Sequence, residues 1–238
     1  MKNQIVMITG GAKGIGKACA EAFLNAGAKV SLTSRTQKEL SHTLSEFSER
    51  HPTRVFAKVA DISLAHDVSS WFEDTQKHLG VPTCLINNAG IFISKKISDQ
   101  TLEEWEKVIR VNLTGTFLCS QAFIKLHLKT SGAKSIINIS SLAGIRGTEK
   151  FPGLSSYVAS KFGIVGLTEA LAVEGKDLGI RANCIAPGAV ATEMLKKALP
   201  HLSPKAQPQD IAHIALFLSD ESQSGALTGS TIEVFSNA

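Results

Sequence analysis

Short runs of β-branched and aliphatic residues alternate along the chain with longer stretches in which apolar residues recur every three to four positions. The short runs predict strands at Ile5–Ile8, Lys29–Thr33, Arg54–Val59, Cys84–Asn87, Ser135–Ile139, Arg181–Ile185 and Thr231–Val234. The periodic stretches predict helices near 14–26, 36–50, 64–79, 101–130, 155–178 and 208–219. Strands that are apolar almost throughout, each followed by a helix, belong in a parallel sheet covered on both faces. No repeat, linker or charge block interrupts the alternation, so residues 1–238 are expected to form one doubly wound α/β domain.

That architecture fixes where chemistry must sit, because ligands bind outside the carboxyl ends of the parallel strands. Polar or glycine-rich clusters stand at six of those ends: Thr9-Gly-Gly, Ser34-Arg35, Asp61-Ile62, Asn87-Asn-Ala-Gly90, Ser140-Ser141 and Pro187-Gly188. Six clusters on one edge are harder to obtain by accident than any single motif.

Composition then removes several function classes. A chain that is 43% hydrophobic and 19% charged is not disordered, and 19 Gly with 7 Pro is no collagen-like or low-complexity sequence. The densest apolar run, Ile211 to Leu218, is broken by His213 and falls short of the roughly 18 residues of a membrane span. The net charge of +4 is scattered, so it gives no footprint for nucleic acid. Cys19, Cys84, Cys119 and Cys184 form no C-x-x-C pair. They fit buried thiols in a reducing compartment better than a metal site or a disulfide framework, so no metal is expected. Met1-Lys2-Asn3 runs straight into Ile5–Ile8 without the pattern of a signal peptide, which points to the cytoplasm. The sequons at Asn112 and Asn138 fall inside a predicted helix and strand, unfit for glycosylation.

Gly10, Gly14 and Gly16 lie in Thr9-Gly-Gly-Ala-Lys-Gly-Ile-Gly16, between the first strand and the first helix. Glycines let a backbone turn tightly and approach a ligand, and the helix that follows aims its free N–H groups at a pyrophosphate. The spacing G-x-x-x-G-x-G departs from the common G-x-G-x-x-G fingerprint. Gly11 to Ala18 also begins like a nucleotide-triphosphate loop but puts Ala18 where the Mg²⁺-binding hydroxyl belongs. At the end of the second strand, where a carboxylate would bind an NAD ribose, the chain has Thr33-Ser34-Arg35. Arg35 can fork onto a 2′-phosphate, Ser34 can donate to it and Lys13 can add a second positive charge, which predicts NADP(H) over NAD(H). The alternative is that Arg35 and Lys13 are merely solvated loop charges.

Tyr157 and Lys161 are four apart at the start of a predicted helix and therefore share a face. A phenol of pKa near 10 is a poor proton shuttle near neutrality, and a neighbouring ammonium is expected to lower it. Alone, the pair reads more readily as a half-buried tyrosine beside a surface lysine. Ser141 ends the fifth strand, within reach of a carbonyl oxygen held against Tyr157. Asn112 lies mid-helix, a poor place for asparagine unless its polar groups are used.

Taken together, the glycine loop, Asn87-Asn-Ala-Gly90, Asn112, Ser141, Tyr157-x-x-x-Lys161 and Pro187-Gly188 followed by Thr192 resemble the short-chain dehydrogenase/reductase family. Within it, the chain looks most like the 3-oxoacyl-carrier-protein reductases and related carbonyl reductases. The match runs in order from residue 4 to about 235. The resemblance implies a three-layer doubly wound Rossmann fold with a seven-stranded parallel sheet, and an NADPH-dependent reductase of ketones, aldehydes or 3-oxoacyl thioesters. It assigns Tyr157 as proton donor, Lys161 as the group that lowers its pKa and binds the nicotinamide ribose, Ser141 as the group that orients the carbonyl, and Asn112 as holder of a relay water. It further implies that Gly10, Lys13, Gly14, Ile15 and Gly16 line the cofactor with Ser34 and Arg35. Asp61 and Ile62 would bind adenine, Asn88 would stabilise the strand edge, and Ala89 and Gly90 would border the ribose. Pro187, Gly188, Val190 and Thr192 would border the nicotinamide.

Two departures bear on substrate. Sixteen positions separate Ser141 from Tyr157, a few more than the family usually has, and the extra length falls in Ile145–Leu154 at the substrate mouth. The stretch from Glu193 to Gln209 is short for a lid; there Met194, Leu195 and Leu199 would form one apolar face of a short helix, or pack on the sheet edge. Partners expected from the resemblance are a second copy of the chain, as homo-dimer or homo-tetramer, with an acyl-carrier protein drawn to Lys125, Lys129 and Arg146. Ala159, Gly163 and Gly166 would permit close packing of the second long helix, between subunits or within one. A cofactor-binding sensor without turnover, or an alcohol dehydrogenase running oxidatively, are the competing functions.

Overall fold

The computed structural model describes residues 1–198 and 201–235. Seven strands, β1 (Ile5–Thr9), β2 (Lys29–Ser34), β3 (Val55–Val59), β4 (Cys84–Asn87), β5 (Lys134–Ile139), β6 (Ile180–Pro187) and β7 (Thr231–Val234), form one sheet in the order β3-β2-β1-β4-β5-β6-β7. Every pairing is parallel. β1, β4, β5 and β6 are buried almost end to end, as strands covered on both faces must be, whereas edge strands β3 and β7 are only half-buried.

Helices α1 (Gly14–Asn25), α2 (Gln37–Arg50), α3 (Ala65–Leu79), α4 (Leu102–Ile109), α5 (Gly115–His127), α6 (Ser155–Glu174), α7 (Glu193–Ala198), α8 (Pro208–Ser219) and α9 (Glu221–Ser224) complete the described chain. Phe23 and Leu24 of α1, Phe47 of α2 and Ile211 and Leu218 of α8 fill one core with residues of β1, β2 and β4. Trp71 and Phe72 of α3, Phe123 of α5 and Leu171 of α6 fill a second core on the opposite face. Each such side chain removed from water contributes about 1.5–3 kcal/mol. The one polar group of Trp71 is satisfied: its indole N–H donates to Ser31 Oγ at 2.9 Å.

The expected single helix over 101–130 is three elements. α4 gives way to a π-helical turn, Arg110–Thr114, before α5 resumes. The expected helix to 178 ends as α6 at Glu174 and continues only as a short 3-10 turn. The chain order reverses between β1 and β4, which are neighbours in the sheet. The segments leaving their carboxyl ends diverge and open a crevice there. All four cysteines are buried. Among the described residues no helix is long and apolar enough to cross a membrane.

Candidate active site

The first wall of the crevice is the turn from β1 into α1. Gly10 has φ +64° and Gly14 φ +55°, a left-handed conformation that favours glycine. Gly16 answers to a different need: a Cβ there would lie 2.3 Å from the Gly10 carbonyl oxygen. Asn88 ties the end of β1 to this turn, its amide donating to Thr9 O at 3.0 Å and Gly10 O at 3.2 Å. The buried Thr9 hydroxyl accepts the N–H groups of both Asn88 and Ala89. The turn is thereby held in place, while Lys13, the residue before α1, provides no side-chain cap. Leading N–H groups left uncapped at the positive end of a helix suit a pyrophosphate, so these residues fit a dinucleotide. Ile15 is half-buried against the first core, Ile62 is buried in the second and Val190 is buried in the first, so the side chains of Ile62 and Val190 are turned to the core. Pro187 ends β6, and Gly188 N donates to Val234 O.

The second wall carries the proton-transfer candidates. Tyr157 and Lys161 stand on α6, with Lys161 Nζ 5.6 Å from the centre of the Tyr157 ring. Lys161 is buried, donates to Ile139 O at 2.8 Å, and burial pulls its pKa down to about 8. Burial pushes the Tyr157 phenol above its ordinary pKa, and a hydrogen bond with Ser141 offsets part of the rise. The expected lowering of Tyr157 by Lys161 is therefore not what the protein provides by itself. The ammonium is turned to a backbone carbonyl, and loss of hydration dominates at the phenol. Ser141 Oγ also accepts Ala143 N at 3.1 Å, which fixes its direction at the end of β5.

Asn112 occupies the middle of the π-turn and is fully buried. Its Oδ1 accepts Ile91 N at 2.8 Å, while its amide donates to Ile91 O at 2.9 Å and to Ser160 Oγ at 3.0 Å. Both amide hydrogens are spent, so a water could rest only on the remaining lone pair of Oδ1. A Cβ on Gly90 would lie 3.4 Å from that Oδ1 and 3.6 Å from Lys161 Nζ. Glycine at 90 thus keeps side-chain atoms out from between the two polar groups. Ser160 passes the connection on, donating to the Tyr157 carbonyl at 2.7 Å.

The charges around the expected 2′-phosphate position are paired. Lys13 Nζ lies 2.9 Å from Glu39 Oε1 and 4.0 Å from Glu193 Oε2, and Arg35 lies 3.8 Å from Asp61 Oδ2. At Asp61 burial raises the pKa, but Ser63 donors and Arg35 outweigh it and hold the carboxyl below its ordinary value. Ser34 Oγ accepts Thr36 N at 3.3 Å. Glu39 escaped the sequence reading; its position in the first turn of the helix after Arg35 was the available signal.

At the expected substrate mouth, the long loop after Ser141 folds around Lys150, whose ammonium reaches Ile145 O at 2.6 Å and Thr148 O at 3.0 Å. Lys95 N donates to Gly153 O, and Gln100 bonds Ser155 and Ser156, so the segments after β4 and β5 brace one another. In the short helix α7, Met194 is exposed and Leu195 half-buried, while Leu199 lies outside the described residues.

Residues 4–203 match the family model for short chain dehydrogenase. The chain is 34% identical to a 3alpha-hydroxysteroid dehydrogenase of Mediterraneibacter gnavus, over 98% of this chain and 96% of that protein. It is 34% identical to a 3-oxoacyl-[acyl-carrier-protein] reductase of Synechocystis sp., covering 97% and 95% respectively. The crystal structure of a levodione reductase superposes with a TM-score of 0.88 at 31% identity, covering 98% of this chain and 96% of that one.

Proposed function

The chain belongs to the short-chain dehydrogenase family, oxidoreductases that use nicotinamide cofactors, and from that premise we propose that it is an NADP(H)-dependent reductase of ketone or aldehyde carbonyls. The whole chain would act as one domain in the reducing setting of the cytoplasm, as a homo-dimer or homo-tetramer. A 3-oxoacyl thioester or a small carbonyl compound is the substrate class these residues and relatives favour.

One observation carries the proposal: the single tyrosine of the chain shares a face of α6 with buried Lys161, whose ammonium lies 5.6 Å from the phenol ring. A phenol that is protonated at neutral pH has the proton that carbonyl reduction requires. When bound, the reduced nicotinamide supplies the hydride. Ser141 and Tyr157 would together hold the carbonyl oxygen, polarising it, and the Tyr157 Oη proton would pass to that oxygen as its negative charge grows. Lys161 would, through a water on Asn112 Oδ1, return a proton toward the phenolate left behind. The uncapped start of α1 would hold the pyrophosphate, and Arg35 with Lys13 the 2′-phosphate.

The test is NADPH consumption against a panel of acetoacetyl thioesters, diketones and aldehydes, with Tyr157→Phe as control. The variant should fold and bind NADPH but lose turnover by about 10²–10⁴-fold, the usual contribution of acid–base catalysis. Retained turnover would overturn the mechanism, because no second phenol can substitute. NADPH binding without turnover across the whole panel would favour a sensor instead.

A further inference from the structure

Of the cations placed to meet a 2′-phosphate, Lys13 is the more tightly claimed. Its ammonium is 2.9 Å from Glu39, against 3.8 Å between Arg35 and Asp61. Glu39 makes this contact from the first turn of α2, where the helix dipole favours a carboxylate, and its only side-chain hydrogen-bond partner among the described residues is Lys13. Glu193, at the start of α7, faces the same ammonium at 4.0 Å but is largely exposed. Lys13 and Glu39 both line a cleft of about 490 Å³ that extends along α1 and α2 and does not include Arg35, so Lys13 meets the expected phosphate position as a cation already paired with the protein's own carboxylate.

We propose that Glu39 is a specificity-determining residue for the cofactor, an internal anion on Lys13 that a 2′-phosphate must displace. The inference rests on the NADP(H) assignment. A phosphate carries about −1.5 to −2 charge at neutral pH and outcompetes a single carboxylate for the ammonium. Displacement leaves the Glu39 carboxylate close to the arriving dianion, and like charges at that range repel. A 2′-hydroxyl makes no such demand and leaves the Lys13–Glu39 pair intact. Glu39 thus lowers affinity for the phosphorylated dinucleotide alone, which narrows the gap between NADPH and NADH.

Binding, not turnover, tests this. Dissociation constants for NADPH, NADH and 2′,5′-ADP are measured by calorimetry on wild type, Glu39→Gln, Lys13→Met and Arg35→Ala, with thermal melts confirming folding. Since exposed ion pairs are weak, Glu39→Gln should tighten NADPH and 2′,5′-ADP by about two- to fivefold and leave NADH unchanged. Lys13→Met should weaken the two phosphorylated ligands. Unchanged affinity for 2′,5′-ADP in Glu39→Gln, or an equal gain for NADH, overturns the role of Glu39. The NADP(H) assignment fails separately, through a wild type that prefers NADH and an Arg35→Ala variant that binds NADPH as wild type does. The 2′,5′-ADP comparison still judges Glu39 in that event.

Discussion

A lysine ammonium taken out of water recovers its hydration only from close acceptors, and Lys161 has one, the Ile139 carbonyl at 2.8 Å. Burial consequently lowers its pKa from 10.5 to about 8. Below pH 8 both the folded and unfolded chains hold the proton, and the folded state bears the full cost of the buried charge. Between about 8 and 10.5 the folded state releases its proton first, so the contribution of Lys161 to stability rises with pH in that window. Lys161→Met has no such titration. Urea unfolding of both proteins at several pH values should therefore show their stability difference moving toward wild type by about 3 kcal/mol across the window. A difference constant with pH would show that Lys161 is not buried as an ammonium. At this scale the sequence was informative about identity and silent about environment. The Tyr157–Lys161 spacing placed both groups on one helix, but which acceptor Lys161 would face depended on β5, reached only through folding.

The strands were the most legible elements, since a strand buried on both faces must be apolar throughout; β4 has the bounds the pattern predicts, and the half-buried edge strand β7 keeps them as well. The long helix over 101–130 was the least legible, because a π-turn inserts one residue per turn without proline or any change in apolar density. Its one trace in the sequence is Asn112, a residue poorly suited to a regular helix. The insertion rotates that side chain toward Ile91, where it pairs with both the N–H and the C=O. Asn112→Ala would leave those two backbone groups without partners at an element boundary. Chemical denaturation should show a loss of about 1–3 kcal/mol, the desolvation cost of an unpaired buried group. A variant as stable as wild type would mean that solvent replaces the amide and that the π-turn does not depend on it.

The whole molecule shows a different kind of gap. Convergence of the strand-end clusters on one edge followed from parallel topology, yet the ion pairs there join α1 to α2 and to α7, a partnership that no local pattern encodes. The outer surface divides the small residues of α6 as well. A Cβ on Gly163 would strike Leu113 at 2.7 Å, so its smallness serves packing within the chain, whereas Gly166 has no such neighbour within 4 Å. Gly166 lies in an exposed stripe with Phe162 and Val173, the latter 77% exposed, and exposed Phe117 of α5 and Leu128 just after it add to the apolar surface. Large apolar side chains exposed on each of two helices cost free energy in water, and a glycine beside them lets a second helix approach closely. A homo-oligomer joined through α5 and α6 would cover them. Sedimentation at micromolar concentration should then give a mass at least twice 25.3 kDa. Introducing charge by Phe117→Glu together with Val173→Glu should shift it toward the monomer while leaving far-ultraviolet dichroism unchanged. A wild type that sediments as a monomer, or a double variant that keeps the wild-type mass, would remove α5 and α6 as the joining surface.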